Sequence, residues 1–304
     1  MVEQQQIKGD PKMQKAYTAA SKIWKKVIEK ESPDHLEYLK DVKDSDIIIV
    51  TGTYDHGEVI FELCNIPYSL ISPHEMAKVE LRNDQILFIN CPGNIEKRGL
   101  ERIKSFVENG GMLVTTDWAL KNVLEQIYPS IVRYNNIATA DDVVRVVFEK
   151  VDDTFLQGLL NPDDDPQWWL EGSSYPIEIL DKEKVKVLVS SKEMKEKYGE
   201  SPIVITFEIG EGKIYHMTSH FYLQRSETRT KRHQSSGFAY AQEKGIKMED
   251  FSAEEQEALK GTNLSEMESA YTSAKSLSNL IVEQRKRVSK RKQIKNEPVS
   301  KEEK

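Results

Sequence analysis

Four clusters of polar and aromatic residues follow segments of the sequence that have the character of β-strands. They are Tyr54, Asp55 and His56; Asn90 and Cys91; Thr116, Asp117 and Trp118; and His216, Ser219 and His220. In open parallel sheets, ligands bind at the edge that the carboxyl ends of the strands form. We therefore expect these residues to converge on one rim and to form a ligand-binding site there.

Cys91 is the candidate nucleophile of this rim. A cysteine at the end of a strand that faces a helix N-terminus can have a lowered thiol pKa. It would also need a base within hydrogen-bond reach. The alternative is a small buried side chain before the turn at Pro92 and Gly93, because free cysteines are commonly buried in this way. Cys64 lies in an apolar helical segment and is expected in the core.

A divalent metal is the second chemical possibility at the rim. His216 and His220, together with Asp117 or Asp55, offer imidazole and carboxylate ligands that suit zinc and similar ions. Alternatively, His216 packs on the sheet, His220 hydrogen-bonds to backbone and Asp117 caps the helix that follows it. A four-residue spacing at a strand end does not fix a ligand set. The sequence therefore assigns no definite catalytic residue, metal ligand or cofactor, and Cys91, Asp117 and His220 stay candidates.

The elements that position these residues are strands with helices between them. The central unit is a strand at 86–89, an amphipathic helix at 95–107 and a second strand at 112–114. This order predicts two parallel strands joined by a crossover helix. The segment 46–51 reads DIIIVT, an unalternated run of β-branched residues that predicts a strand buried on both faces.

Five strand-like segments separated by helices predict an α/β fold with three layers. We expect a doubly wound, mostly parallel sheet of the flavodoxin-like type. The segments 202–209 and 213–218 flank a Gly-Glu-Gly turn and predict a hairpin. This hairpin would extend the sheet at one edge.

Composition divides the chain into three regions. These are an N-terminal helical extension at 1–44, the α/β domain at 45–225, and a C-terminal region at 226–304. Apolar residues at helical spacing over 15–31 predict an amphipathic helix in the first region. Terminal helices of this kind are expected to pack on the domain or to support an oligomer.

The C-terminal region begins with a polar and basic segment, SETRTKRHQSSG from Ser226, that predicts a mobile loop. An apolar stripe then predicts a long helix with Asn263 as its N-cap. The helix continues into a basic run at 285–292 and a charged tail that is predicted to be disordered.

The net charge of −7 argues against a protein whose whole surface binds a polyanion. The basic run at 285–292 could still hold nucleic acid or act as an address signal, although cations are favoured near a helix C-terminus in any case. No stretch has the apolar length of a membrane span, and the first residues lack the apolar core of a signal peptide. With only two cysteines as well, we expect a cytoplasmic protein without a membrane partner.

The stretch 46–220 resembles the class I glutamine amidotransferase-like superfamily, especially its non-catalytic relatives of the ThuA kind. The resemblance rests on DIIIVTG followed by a helix, the strand QILFINCPG, a helix that ends in ENGGMLVTTDW, and the late segment GEGKIYHMTSH. It covers slightly over half of the chain. It implies the same α/β fold with a site at the strand ends.

The sequence departs from that superfamily where active members carry their nucleophile. The resemblance would place a cysteine in a glycine-flanked turn after the strand that follows the Gly-Gly pair, but residues 115–119 read TTDWA. No glycine is present there to accept the strained elbow conformation. The usual His-x-Glu is replaced by HMTSH at 216–220. Glutaminase activity is therefore not expected, because a thiolate and a base cannot be assembled at that position.

These observations favour a binding module, an amidotransferase-like domain without glutaminase activity that binds a ligand or a partner protein at the rim. The alternative is a hydrolase at the same rim that uses Cys91, or a metal centre of His216, His220 and Asp117. A third hypothesis is nucleic-acid binding through the basic tail, which predicts steep salt dependence. The residues alone do not decide between an enzyme and a binding protein.

Overall fold

The structure is a computed structural model that describes residues 11–159 and 164–296. The first ten residues of the predicted N-terminal extension and the last eight of the predicted charged tail lie outside the described residues. Within the described ranges, no helix combines the length and the apolar character that crossing a membrane requires.

The strands and helices alternate along most of the chain. The strands are β1 (Ile47–Val50), β2 (Ser69–Ile71), β3 (Ile86–Ile89), β4 (Met112–Thr116), β5 (Val132–Tyr134), β6 (Asp142–Arg145), β7 (Val147–Phe148), β8 (Gln167–Leu170), β9 (Ile177–Ile179), β10 (Lys186–Ser190), β11 (Pro202–Ile209) and β12 (Gly212–Met217). The helices are α1 (Pro11–Glu31), α2 (Pro33–Lys40), α3 (Glu58–Leu63), α4 (Lys97–Glu108), α5 (Glu125–Ile127), α6 (Lys192–Tyr198), α7 (Gly237–Glu243), α8 (Ala253–Lys260) and α9 (Leu264–Asn296).

Eight of the described strands form the central sheet, in the order β2-β1-β3-β4-β12-β11-β10-β7. The first five of these run parallel, and the last three join as antiparallel neighbours. The fold is therefore mixed α/β with a large, mostly parallel central sheet, as predicted. The predicted hairpin is β11 and β12, and it extends the sheet beyond β4. Because the strand order reverses between β1 and β3, the connections after these strands diverge and leave a crevice.

The central strands bury both faces, which explains their unalternated apolar sequences. In β1, Ile47 and Ile49 face one apolar core, which α1, α3 and α9 cover. Ile48 and Val50 face a second core, which α4 and the turn before α5 cover. The sheet is thus the middle layer of three, and this packing holds the strand ends in place.

The terminal helices pack on each other and on the sheet. Tyr17 and Trp24 of α1 are buried, and their polar atoms donate hydrogen bonds to Ser273 and Ser278 of α9 at 3.3 and 2.9 Å. Asn263 caps the N-terminus of α9 as predicted: its Oδ1 accepts a hydrogen bond from the Glu266 amide at 2.9 Å. The apolar stripe of α9 is therefore covered within the chain.

The segment after Ser226, which the sequence predicts to be a mobile loop, is instead packed against the domain. Arg229 pairs with Glu193 at 2.8 Å, and Arg232 pairs with Glu268 of α9 at 3.0 Å. His233 is fully buried in the same segment. Two of its basic residues therefore form ion pairs with acidic residues that are remote in sequence. The composition of the segment does not reveal these pairs.

Candidate functional site

A cavity of about 190 Å³ opens where the carboxyl ends of β1, β3, β4 and β12 meet. Its lining combines a thiol, two carboxylates, an imidazole and two aromatic rings. The lining residues are Tyr54, Cys91, Asp117, Trp118, Glu171, Gly172, Ser173 and His220. Five of these belong to the rim that the sequence predicts.

Cys91 follows β3 and is held through its backbone. Its amide donates a hydrogen bond to Oγ1 of Thr116 at 3.0 Å, and its carbonyl accepts one from the Thr53 amide at 3.0 Å. The loop after β1 can approach this closely because residue 52 is glycine. A Cβ atom on Gly52 would lie only 2.5 Å from the Cys91 carbonyl oxygen. Cys91 is therefore fixed at the floor of the cavity, where it is 1% exposed.

Asp117 follows β4 in a left-handed backbone conformation with φ of +45°. The turn contains no glycine, and the expectation that it could therefore not adopt the strained elbow conformation is wrong. Aspartate tolerates this region better than most residues, and its carboxylate is held by two donors. Oδ1 accepts a hydrogen bond from the Tyr175 amide at 2.8 Å, and Oδ2 accepts one from Oγ of Ser174 at 3.2 Å.

The helix-capping role considered for Asp117 is also wrong. Its carboxylate points to the 174–175 segment, and the helical turn that follows it begins without a side-chain cap. A carboxylate occupies the turn where the resemblance would place a nucleophilic thiol. The thiol in the cavity comes from Cys91, which follows the neighbouring strand β3.

His220 faces Asp117 and Glu171 from the loop after β12. Its Nε2 lies 3.8 Å from Oδ2 of Asp117, and its Nδ1 lies 2.8 Å from Oε2 of Glu171. Neither ring nitrogen makes an aligned hydrogen bond within the described residues. The alternative that His220 hydrogen-bonds to backbone is therefore not what the structure shows. The imidazole is nevertheless 1% exposed and lies between two carboxylates.

Burial and the neighbouring carboxylates set the pKa values of the groups in the cavity. Burial raises the pKa of the Asp117 carboxyl to about 6, and the charge of His220 opposes the rise. For the imidazole, burial alone would lower the pKa. The charge of Asp55 and short contacts with Cys91 and Glu171 more than offset burial, so the pKa is raised well above its ordinary value. The surrounding carboxylates thus favour the charged form of the imidazole.

The Cys91 thiol is not activated as a nucleophile in this arrangement. Burial raises the pKa of the thiol to about 11, and the short contact with His220 only partly counters this rise. The charge of Asp117 raises it further. The thiol is therefore protonated at neutral pH, unlike the thiolate that nucleophilic cysteines require.

Asp55 lies behind the floor rather than in the cavity lining. It is 1% exposed, and its Oδ2 accepts a hydrogen bond from Oγ1 of Thr116 at 2.7 Å. Its Oδ1 makes no hydrogen bond within the described residues. Since the Thr116 hydroxyl also accepts a hydrogen bond from the Cys91 amide, it links the loops after β1 and β3 to the end of β4.

His56 and Asn90 belong to the predicted rim but fix the loop after β1. Asn90 accepts a hydrogen bond from the Gly57 amide at 3.1 Å and donates one to Glu58 at 2.8 Å. His56 pairs with the same glutamate at 3.2 Å. Neither side chain lines the cavity.

His216 and Ser219 likewise lie outside the cavity lining. His216 is fully buried in the sheet, with Nδ1 2.8 Å from Oγ1 of Thr115. The predicted metal set of His216, His220 and Asp117 is therefore wrong, because His216 packs on the sheet. Ser219 accepts a hydrogen bond from the Glu171 amide at 2.9 Å and so positions that residue.

Glu171, Gly172 and Ser173 line the cavity but are absent from the predicted rim. They follow β8, which pairs with β6 in a separate two-stranded sheet. Their position depends on two long-range hydrogen bonds, from the Glu171 amide to Ser219 and from Nε1 of Trp118 to the Ser173 carbonyl at 2.7 Å. Sequence spacing carries no signal for such contacts.

Tyr54 and Trp118 form an aromatic wall of the cavity, and further aromatic rings extend this row behind it. Tyr54 contacts Trp118 edge-on with ring centroids 5.3 Å apart, and Trp118 stacks on Tyr175 at the same centroid distance. Tyr175 stacks in turn on Tyr134. Tyr54 stays half exposed at the mouth, so a bound molecule could contact its ring.

Three unlike metal-ligating groups meet at the cavity floor. One atom each from Cys91, Asp117 and His220 lies within 4.8 Å of the other two. All three side chains are buried. Thiolate, carboxylate and imidazole together suit a zinc-class ion, so this set replaces the one that the sequence suggested.

Comparisons with known proteins give similarity in structure alone. No family model and no curated protein matches the chain. A protein described as ThuA-like from Bacteroides uniformis is 13% identical, with a TM-score of 0.42, over 60% of this chain and 83% of its own. A cytoplasmic protein from Salmonella typhimurium is 10% identical, with a TM-score of 0.42, over 58% of this chain and 88% of its own.

A larger enzyme is also among the structural matches. A β-galactosidase from Bacillus circulans sp. alkalophilus is 14% identical, with a TM-score of 0.41, over 61% of this chain. The matched part is 31% of the β-galactosidase, so this chain spans about a third of that protein. At such identities and scores, the similarities assign no activity to the chain.

Proposed function

We propose that this chain is an amidotransferase-like α/β protein without glutaminase activity that binds a small polar molecule in the strand-end cavity. The observation that carries the proposal is the convergence of five loops on one cavity with chemically unlike walls. Tyr54, Cys91, Asp117, Glu171 and His220 each come from a different loop. Concave sites with a few convergent polar groups and perturbed pKa values are where ligands bind.

The size of the cavity limits the ligand. A volume of about 190 Å³ holds roughly six water molecules at ~30 Å³ each. Pockets for drug-sized ligands are larger, at about 300–1,000 Å³. The cavity therefore suits a small molecule, or an ion with its waters, rather than a drug-sized ligand.

The charges of the cavity define the chemistry of that ligand. His220 supplies a donor, whereas Asp117 and Glu171 supply acceptors. The aromatic wall of Tyr54 and Trp118 supplies an apolar face. A small molecule with both donors and acceptors complements these walls.

Thermal unfolding of the full chain against a panel of small amino acids, carboxylic acids, amines and polyols tests the proposal. One class should raise the Tm of the wild type in a concentration-dependent way, because ligands that bind only the folded state stabilise it. Tyr54→Ala should weaken that shift, whereas Leu180→Ala, which also truncates an exposed apolar side chain, should not. A panel without any binder, or equal shifts in both variants, would contradict the proposal.

The hydrolase that uses Cys91 as nucleophile is the weaker alternative. Its thiol is buried and has a raised pKa, so the thiolate is scarce at neutral pH. The nucleic-acid hypothesis is weakened in a similar way. Arg285 pairs with Asp46 at 2.7 Å, and Arg287 pairs with Glu208, so these charges of the basic run are already neutralised within the chain.

A further inference from the structure

The floor of the cavity has the spacing of a metal site before metal enters. Oδ2 of Asp117 lies 3.9 Å from Sγ of Cys91 and 3.8 Å from Nε2 of His220. Ligand atoms around a tetrahedral zinc ion stand about 3.4–3.6 Å apart, as metal–ligand distances of about 2.0–2.3 Å require. The observed separations exceed these by only a few tenths of an ångström. The ligand atoms of all three residues lie within 4.8 Å of one another, so modest side-chain rotations would close the set.

The orientation of His220 points to the same ligand. Its Nε2 is buried, aims at Asp117 and has no hydrogen-bond partner among the described residues. Its Nδ1 lies 2.8 Å from Glu171. Metal-binding histidines almost always give their second ring nitrogen to a carboxylate or another acceptor, which fixes the tautomer and the ring plane. Glu171 holds that position here.

The other two ligands are fixed by their own hydrogen bonds. Asp117 is held by Tyr175 and Ser174, and the backbone of Cys91 is held by Thr116. Each ligand follows a different strand of one rigid sheet. Such support is what keeps a metal site in its binding geometry.

We propose that Sγ of Cys91, Oδ2 of Asp117 and Nε2 of His220 bind one divalent ion of the zinc class, with the fourth position open to the cavity. Binding of the ion displaces one proton from the Cys91 thiol and one from the His220 imidazolium, and both protons leave to solvent. The resulting thiolate and imidazole exclude magnesium and calcium, which take oxygen ligands. Three protein ligands and an open position are the pattern of catalytic rather than structural zinc sites. The inference rests on the proposed binding cavity and names an ion that it holds.

Cobalt(II) titration of the metal-stripped full chain tests the site, because cobalt substitutes for zinc and reports its ligands in its absorption spectrum. The wild type should bind one equivalent and develop a sulfur-to-cobalt charge-transfer band in the near ultraviolet. Cys91→Ser should abolish that band. Cys64→Ser should retain it, because Cys64 is buried in the core away from the cavity. A wild type without the band, or a band that survives Cys91→Ser, would overturn the proposal.

Glu171→Gln separates positioning from ligation. We expect cobalt affinity to fall about 10–100-fold while the charge-transfer band persists, as removal of an outer partner does in known sites. Thermal unfolding of each metal-free variant verifies that the fold is intact. If panel compounds bind and Tyr54→Ala weakens them while cobalt gives no band, the cavity stands and the metal site is refuted. A cobalt band without any panel binder would instead refute binding of a small molecule.

Discussion

The hydroxyl of Thr116 donates a hydrogen bond to Oδ2 of Asp55 at 2.7 Å, beneath the floor of the cavity. Oγ1 of Thr116 also accepts a hydrogen bond from the Cys91 amide. Asp55 is buried, and burial raises the pKa of its carboxyl although His220 and this hydrogen bond oppose the rise. One small side chain therefore satisfies two buried groups on which the geometry of the site depends.

Thr116→Val should destabilise the fold by about 1–3 kcal/mol, because it leaves a buried carboxylate and a buried amide without this partner at nearly constant volume. Urea unfolding measures the difference in the free energy of unfolding. Thr116→Ser retains the hydroxyl and serves as the matched control. Equal stability of the valine variant and the wild type would show that the hydroxyl is dispensable.

Gly52→Ala should distort the floor of the cavity. The added Cβ would lie 2.5 Å from the Cys91 carbonyl oxygen and 2.6 Å from that of Asp55, so backbone must move. We expect a loss of about 1–3 kcal/mol in stability, the usual cost of overpacking. Gly172→Ala is the control, because its Cβ would meet nothing closer than 3.7 Å. Urea unfolding that shows similar losses for the two variants would contradict the close approach.

Alkylation of Cys91 should be slow at neutral pH, because the pKa of the buried thiol is raised to about 11. In a Cys64→Ser background, the rate with iodoacetamide should climb about tenfold per pH unit between pH 7 and 9.5, since only the thiolate reacts. The same chain unfolded in urea gives the reference rate of a free thiol. Rapid alkylation that does not change with pH from pH 6 upward would restore the nucleophile hypothesis.

His216 should make the folded state sensitive to acid. Burial lowers its pKa to about 3 from an ordinary value of 6.5. Below pH 6.5, His216 is therefore protonated in the unfolded chain and stays neutral in the folded chain. Its contribution to stability is full above pH 6.5 and declines by about 1.4 kcal/mol per pH unit as the pH falls towards 3.

Comparison of urea unfolding from pH 7.5 to 4.5 in the wild type and in His216→Gln isolates this contribution. The difference in the free energy of unfolding between them should shrink as the pH falls. His74→Gln changes an exposed histidine and controls for the general effect of replacing an imidazole. In the wild type, the ring resonances of His216 should not titrate between pH 8 and 5, and titration near pH 6.5 would refute a buried neutral imidazole.

The sequence predicts the scaffold well because the physical signals are local. The β-branched run at 47–50 and the strand-helix-strand unit at 86–116 are what a buried parallel sheet requires. The convergence of Tyr54, Cys91, Asp117 and His220 follows from that topology, because parallel strands place their carboxyl ends on one side.

What the sequence could not provide depends on contacts between distant segments. Glu171 reaches His220 only because its loop is held over the sheet by Ser219 and Trp118. Whether His216 or Cys91 lies next to Asp117 depends on the orientation of each side chain at its strand end. The His216 side chain points towards Thr115. Ser174 and Tyr175 stabilise the left-handed turn at Asp117 through hydrogen bonds to its carboxylate. No local sequence motif predicts these contacts.

Zinc-edge anomalous diffraction from crystals grown with zinc would locate the ion itself. We expect one peak in the cavity at about 2.0–2.3 Å from Sγ of Cys91, Oδ2 of Asp117 and Nε2 of His220. A peak at another position would contradict this expectation. So would crystals in which these three side chains point away from one another and enclose no cavity.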